Sequence, residues 1–78
     1  MDKRAIIEEI IKELVDNPKG VKVEEIIGES TTVLNIKVEK GDLGKVIGRK
    51  GRIISSLRTV FGSIFAKNSQ KAIIEVND

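Results

Sequence analysis

The segment Gly-Arg-Lys-Gly at residues 48–51 places two cations between two glycines. Because glycine has no Cβ, such a loop lets a sugar-phosphate chain approach the protein backbone closely. Arg49 can hold a phosphate through two parallel hydrogen bonds, whereas Lys50 acts as a point charge. The second glycine would open a helix whose free N–H groups and positive dipole end attract phosphate. The loop therefore predicts contact with a ligand that carries phosphate groups.

The distribution of charge also indicates an anionic ligand near this loop. The net charge of the 78 residues is only +2, but residues 37–58 carry seven basic and two acidic side chains. No acidic residue lies between Leu43 and Arg58. A local basic field inside a nearly neutral chain suggests a defined anionic partner, although a solvated basic face is the alternative. We interpret Arg52 and Arg58 as solvated helix charges.

The missing residue types narrow the function further. The chain has no Cys and no His, which excludes thiol catalysis, Ser-His chemistry and most transition-metal sites, so we expect no metal and no cofactor. No stretch approaches the roughly 18 apolar residues of a membrane span, and the N-terminus does not resemble a signal peptide. We expect a single cytoplasmic domain over residues 1–78, with no membrane partner and a mainly aliphatic core.

The elements that must position the loop follow from the spacing of the apolar residues. Recurrence at helical spacing predicts an N-terminal helix, which Asn17-Pro18 ends, and alternation predicts strands. Asp42 is expected to cap a short helix before the loop. The predicted order is α-β-β-α-α-β, with helices at residues 3–16, 43–47 and 52–66 and strands at residues 21–27, 32–38 and 72–76. This order predicts an α+β fold, a three-stranded sheet with helices on one face.

The run from Gly44 to Ile54, Gly-Lys-Val-Ile-Gly-Arg-Lys-Gly-Arg-Ile-Ile, closely resembles the VIGxxGxxI signature of KH domains. The order of elements resembles the type II arrangement, in which two strands precede the loop. Chain length and the N-terminal helix resemble the small bacterial single-KH proteins of the KhpA family. The resemblance covers nearly the whole chain and implies a type II KH fold that binds about four nucleotides of single-stranded RNA or DNA. It further implies an RNA chaperone or post-transcriptional regulator that pairs with a second KH-containing protein and influences cell growth and division.

The same resemblance assigns the candidate site. The phosphate clamp would consist of Gly48, Arg49, Lys50 and Gly51. The residues that would line one side of the groove, or lie beneath it, are Gly44, Lys45, Ile47 and Ile54. Isoleucine at the position of Ile54 is more often plain core. Ile36 and Val38 form either the opposite wall of the groove or part of the core, and both readings stay open.

The helix after the loop has a wide apolar surface, which bears on association. Its apolar arc spans roughly 140°, more than a helix with one buried side needs. The sheet-facing stripe would be Ile54, Phe61 and Phe65, and a second row at coiled-coil-like spacing is Ile53, Leu57, Val60 and Ile64. Either the N-terminal helix covers this second row or a partner does. Ile53 and Val60 are therefore candidates for the surface of a homodimer, or of a heterodimer with another KH protein.

Other classes of function fit the sequence less well. An RRM stacks bases on sheet aromatics, and this chain has two Phe and no Tyr or Trp. Neither P-loop spacing nor a GxGxxG is present, and Glu24 and Glu25 would point to opposite faces of a strand, so we expect no catalysis and no small-molecule substrate. A second GxxG at residues 41–44 contains Asp42, which disfavours phosphate. Two alternatives remain: a protein-interaction module in which nucleic-acid binding is secondary, and a binder of single-stranded DNA.

Overall fold

The computed structural model describes residues 2–78 and confirms the predicted order of helices and strands. The helices are α1 (Lys3–Leu14), α2 (Leu43–Ile47) and α3 (Arg52–Ala66), and the strands are β1 (Lys22–Ile27), β2 (Thr31–Lys37) and β3 (Lys71–Asn77). Short 3₁₀ turns at Pro18–Gly20, Lys40–Asp42 and Arg49–Gly51 lead into β1, α2 and α3. Each strand therefore begins and ends within one residue of its predicted position.

The end of α1 differs from the prediction because of Asp42. The sequence predicts that the side chain of Asp42 caps α2, and this prediction is wrong. The carboxylate of Asp42 instead faces the residues after α1. The backbone N–H groups of Asp16 and Asn17 donate to it at 3.1 and 2.9 Å, and the Asn17 side-chain amide donates at 3.2 Å. These bonds draw the chain out of the helix, so α1 ends at Leu14 and not at residue 16. Burial raises the pKa of Asp42, but the hydrogen bonds from Asp16 and Asn17 and the charge of Lys45 outweigh it and lower the pKa below its usual value.

The sheet has the order β1-β2-β3, and β3 is an edge strand. β1 pairs with β2 in antiparallel orientation, whereas β2 and β3 run parallel. A parallel pair needs a crossover connection, which α2 and α3 provide. The loop between α2 and α3 therefore belongs to the crossover that leads to the edge strand β3, and both helices contact β3.

The core lies between the sheet and the helices, which all pack on one face. Its fully buried side chains come from α1, β2, α2 and α3, and they are Ile7, Ile11, Leu34, Ile36, Val46 and Phe61. Aliphatic side chains with two phenylalanines therefore supply the apolar burial that a chain of this size needs. Within residues 2–78, no helix combines the length and the apolar character that crossing a bilayer requires.

Candidate nucleic-acid interface

The loop of residues 48–51 is a tight turn with an unusual backbone. The Gly48 N–H donates to the Gly44 carbonyl at 2.8 Å and so closes α2, and the Gly51 N–H donates to the Gly48 carbonyl at 3.0 Å. Gly48, Lys50 and Gly51 have φ values of 77°, 57° and 73°. Glycine adopts positive φ freely, whereas a residue with a Cβ such as Lys50 does so at a cost. The conformation of the turn therefore favours glycine by itself. This is a second reason for the glycines, besides the predicted close approach of a sugar-phosphate chain.

Gly48 has a further reason to lack a side chain. A Cβ at this position would lie 2.5 Å from Cγ1 of Ile53, which packs against the loop from the first turn of α3. Ile53 is half-buried in this position. Its assignment to a dimer surface stays a prediction, but the structure gives it a second role as the support for Gly48.

The two cations of the loop are free to bind a ligand. Arg49 and Lys50 are exposed, and within residues 2–78 neither forms an ion pair with an acidic side chain. In the same part of the chain, their backbone N–H groups donate to no backbone carbonyl. The helix α3 begins directly afterwards, at Arg52, so its positive dipole end lies next to the loop. Two charges and two open N–H groups are thus gathered within one turn, as phosphate binding requires.

The predicted groove residues on α2 lie beside this loop. Gly44 and Lys45 are exposed, and Ile47 is half-buried. A Cβ at Gly44 would meet nothing within 4 Å, so this glycine leaves an open surface. The Lys45 Nζ lies 3.2 Å from Oδ2 of Asp16, but both side chains are largely solvated, and such a pair contributes little stability. The position of the Lys45 side chain is therefore not fixed by a strong ion pair.

Of the two roles that the sequence left open for Ile36 and Val38, the structure supports the core and not a wall of the predicted groove. Ile36 in β2 and Val38, which directly follows β2, are 0% and 3% exposed and belong to the core. The edge strand β3 faces α2 and α3 instead, with Ala72 and Val76 half-buried along it. Ile54 is 7% exposed and lies below the loop, with Cγ2 3.9 Å from where a Cβ of Gly51 would be. Ile54 is thus a core residue that supports the loop.

Arg58 has a role that the sequence interpretation missed. We interpreted it as a solvated helix charge, but its guanidinium donates to the Ile74 carbonyl of β3 at 3.3 Å. The side chain therefore connects α3 with the edge strand β3. Helical spacing could have revealed this, because Arg58 follows the sheet-facing Ile54 by four residues.

A GxxG loop between two helices, preceded by an antiparallel pair of strands and followed by a strand parallel to the second, defines a KH domain of type II. The comparison with known families agrees, since the model of the KhpA/KhpB KH domain matches residues 4–76. The chain belongs to this family.

Several curated relatives cover almost the whole chain, and each is called RNA-binding protein KhpA. The protein of Clostridium perfringens is 41% identical, over 94% of this chain and 97% of its own length. The protein of Borreliella burgdorferi is 42% identical, over 94% of this chain and 89% of its own. The protein of Aquifex aeolicus is 45% identical, over 91% and 90%. No solved structure matches the chain.

Proposed function

We propose that this protein binds RNA without catalysing a reaction, and that it holds about four nucleotides of a single strand between α2–α3 and β3. The loop of residues 48–51 carries this proposal, because its two cations and two open N–H groups, which have no partner among residues 2–78, fit a phosphate. The names of the relatives, each an RNA-binding protein, support RNA as the ligand.

The walls of the groove have different tasks in this proposal. The loop fixes the sugar-phosphate backbone, which gives affinity but no sequence preference. Ile47 offers an apolar surface for an unstacked base, and the edge of β3 offers backbone groups that can form hydrogen bonds. The carbonyl of Ile74 shows that these groups are accessible, because it accepts a hydrogen bond from Arg58. Because the groove has no aromatic side chain for stacking, we expect an affinity of about micromolar.

Reversing the charge of the loop tests this function. The double variant Arg49→Asp, Lys50→Asp should lose single-stranded RNA binding, by at least about tenfold, while its circular dichroism spectrum and melting temperature stay those of the parent. The fold should survive because both side chains are exposed, and Asp tolerates the positive φ of residue 50. Fluorescence anisotropy with a labelled oligonucleotide measures the loss.

The matched control reverses two cations elsewhere on the surface. Lys12→Asp, Lys67→Asp changes the net charge by the same amount, on α1 and directly after α3, outside the loop and β3. This control should keep most of the affinity. Full binding by the folded Arg49→Asp, Lys50→Asp variant would disprove the clamp, and an equal loss in both variants would show a general effect of charge.

In the cell, we propose a cytoplasmic post-transcriptional regulator or RNA chaperone that acts on growth and division. Crosslinking the protein to nucleic acid in its own cells, followed by sequencing of what is bound, tests this directly. Recovery of RNA supports the proposal, recovery of single-stranded DNA replaces the ligand, and recovery of neither favours the protein-interaction module.

We further propose that the protein associates through the outer side of α3, as a homodimer or with a second KH-containing protein. The second apolar row of this helix divides in the structure. Leu57 and Ile64 pack against the core, whereas Val60 stays 51% exposed and α1 lies instead beside β1 and α2. An exposed valine between two half-buried aliphatic residues extends their apolar surface outward, which supports a partner at this position.

The variant Val60→Asp should turn a self-associating protein into a folded monomer, because it places a charge in an apolar contact. Light scattering over a range of concentrations reports the mass, and circular dichroism reports the fold. Ser55→Asp introduces the same charge on the other flank of α3 and should leave association unchanged. A parent protein that is monomeric at high concentration would exclude the homodimer.

A further inference from the structure

Four lysines line one pocket at an end of the sheet, in a place separate from the loop. The pocket has a volume of about 620 Å³, and its lysines are Lys19, Lys22, Lys37 and Lys40. They come from the turn before β1, the start of β1, the end of β2 and the turn before α2. Within residues 2–78 none of the four forms an ion pair. We call this site the lysine pocket.

Two acidic residues also line the lysine pocket, and they do not neutralise it. Glu39 lies against Gly20, where a Cβ would come within 2.5 Å of its Cγ, and Asp78 follows β3. Four positive and two negative side chains leave the pocket with a positive charge. Its ligand should therefore be an anion.

The arrangement of two of these lysines is unfavourable for the free protein. Lys22 and Lys37 are direct cross-strand partners in the antiparallel pair β1–β2. Like charges in such positions repel each other and destabilise the sheet. An anion bound between Lys22 and Lys37 would remove this repulsion. The pair therefore destabilises the free protein, and a bound anion would stabilise it.

A second depression adjoins the lysine pocket and shares Lys22 and Lys37 with it. It has a volume of about 500 Å³ and is also lined by Glu24, Asn35 and Asn77. The Nδ2 group of Asn77 donates to the side-chain Oδ1 of Asn35 at 2.8 Å, which leaves further donors and acceptors of both side-chain amides open. In proteins that bind single-stranded nucleic acids, cationic side chains contact phosphate groups and side-chain amides form hydrogen bonds with base edges. The two depressions place both kinds of group next to each other.

The chain connects the lysine pocket to the groove in two ways. Lys40 begins the turn that leads into α2, and α2 ends at Ile47 directly before the loop. Three residues of 3₁₀ turn and five of α-helix span only about 14 Å. In addition, β3 forms one wall of the groove and ends at Asn77, beside the lysine pocket. The side chains of Lys37 and Asn77 lie on the face of the sheet away from the helices, because they alternate with the core-facing residues of their strands. A single strand would therefore pass around the end of β3 to go from the groove to the lysine pocket.

We propose that the lysine pocket binds phosphate groups of the same RNA strand, beyond the nucleotides that the groove holds. The proposal rests on the proposed function and extends the contact of the protein with RNA past about four nucleotides. Free phosphate compounds share this chemistry, and the experiment must separate them from RNA.

The test compares two oligonucleotides and two pairs of substitutions. The variant Lys22→Gln, Lys37→Gln should bind an oligomer of about four nucleotides as the parent does, but lose about tenfold in affinity for one about three times as long. The slope of log affinity against log salt for the long oligomer should become shallower by about 1.4, as expected for two lost phosphate contacts. Lys12→Gln, Lys67→Gln removes the same charge on α1 and directly after α3, outside the loop, β3 and the lysine pocket, and should change neither oligomer.

Each outcome decides between distinct readings. Equal affinity of parent and variant for the long oligomer would disprove the extension while leaving the clamp intact. If neither oligomer binds to the parent, the proposed function itself fails. If inorganic pyrophosphate weakens binding of the long oligomer but not of the short one, the lysine pocket recognises phosphate groups of RNA. If pyrophosphate binds tightly while affinity for RNA does not depend on its length, the ligand of the lysine pocket is a free phosphate compound and not RNA.

Because Lys22 and Lys37 repel each other, the variant Lys22→Gln, Lys37→Gln should melt at the same temperature as the parent or at a higher one. A lower melting temperature would contradict the argument from repulsion.

Discussion

The substitution Gly48→Ala is expected to destabilise the domain by about 2–4 kcal/mol and to abolish RNA binding with it. Two effects add. The backbone at Gly48, with φ 77° and ψ 169°, lies in a region that essentially only glycine adopts, and the new methyl group would lie 2.5 Å from Cγ1 of Ile53. Relief of either effect requires movement of the loop or of α3. Urea unfolding measures the first loss, and fluorescence anisotropy the second.

Two other glycines serve as graded controls for this experiment. Gly51 also has a positive φ, of 73°, but a Cβ there would meet only Ile54, at 3.9 Å, so Gly51→Ala should cost about 1–2 kcal/mol. Gly62 lies inside α3 with nothing within 4 Å of a Cβ, and Gly62→Ala should stabilise the helix by about 0.5–1 kcal/mol. An equal effect of all three substitutions would show that the backbone of the loop does not cause the loss.

Much of this fold could be predicted from the sequence, because local patterns specify it. Helical spacing from Lys3 and from Arg52 predicts α1 and α3, and period-two alternation predicts the strands, all in the right order. The short helix α2 was also expected in the right place, but because of a cap by Asp42 that does not form. The turn at the glycines of the loop could be predicted as well, and the positive φ of Gly48 and Gly51 is the local reason that glycine is needed there. These features depend on residues that are near one another in the chain.

The parts that were not predicted depend on contacts between distant residues. Nothing near Asp42 in the sequence shows that its carboxylate accepts hydrogen bonds from Asp16 and Asn17, which is why the end of α1 was misplaced. The position of β2 in the centre of the sheet, which buries Ile36, follows from strand order and not from alternation. The contact of Arg58 with β3 likewise needs the packing of α3 on the sheet.

The strain at Lys50 connects the fold of the loop with its proposed task. A lysine with φ 57° costs about 1–2 kcal/mol relative to glycine, and nothing within residues 2–78 pairs with its ammonium group. The position therefore loses stability through its side chain and has no compensating contact inside the domain. A ligand that pairs with the ammonium group would provide one, which is the reason to place phosphate there.

The substitution Ile54→Asn should destabilise the domain by about 2–4 kcal/mol, since it removes an aliphatic contact and buries an amide. Ile54 is 7% exposed and belongs to the core with Phe61 and Phe65. A domain of this size has a total stability of only about 4–12 kcal/mol, so the loss takes away much of it. The midpoint of thermal unfolding, followed by circular dichroism, should fall by about 8–32 °C, at about 4–8 °C for each kcal/mol.

The control Ile54→Val keeps a buried aliphatic side chain and should cost only about 0.5–1.5 kcal/mol. It also separates stability from binding. Because Ile54 supports Gly51 from below and does not itself face the groove, Ile54→Val should bind RNA as the parent does at a temperature where both are folded. If Ile54→Asn melts like the parent but binds RNA weakly, Ile54 is an exposed groove residue and its place in the core is wrong.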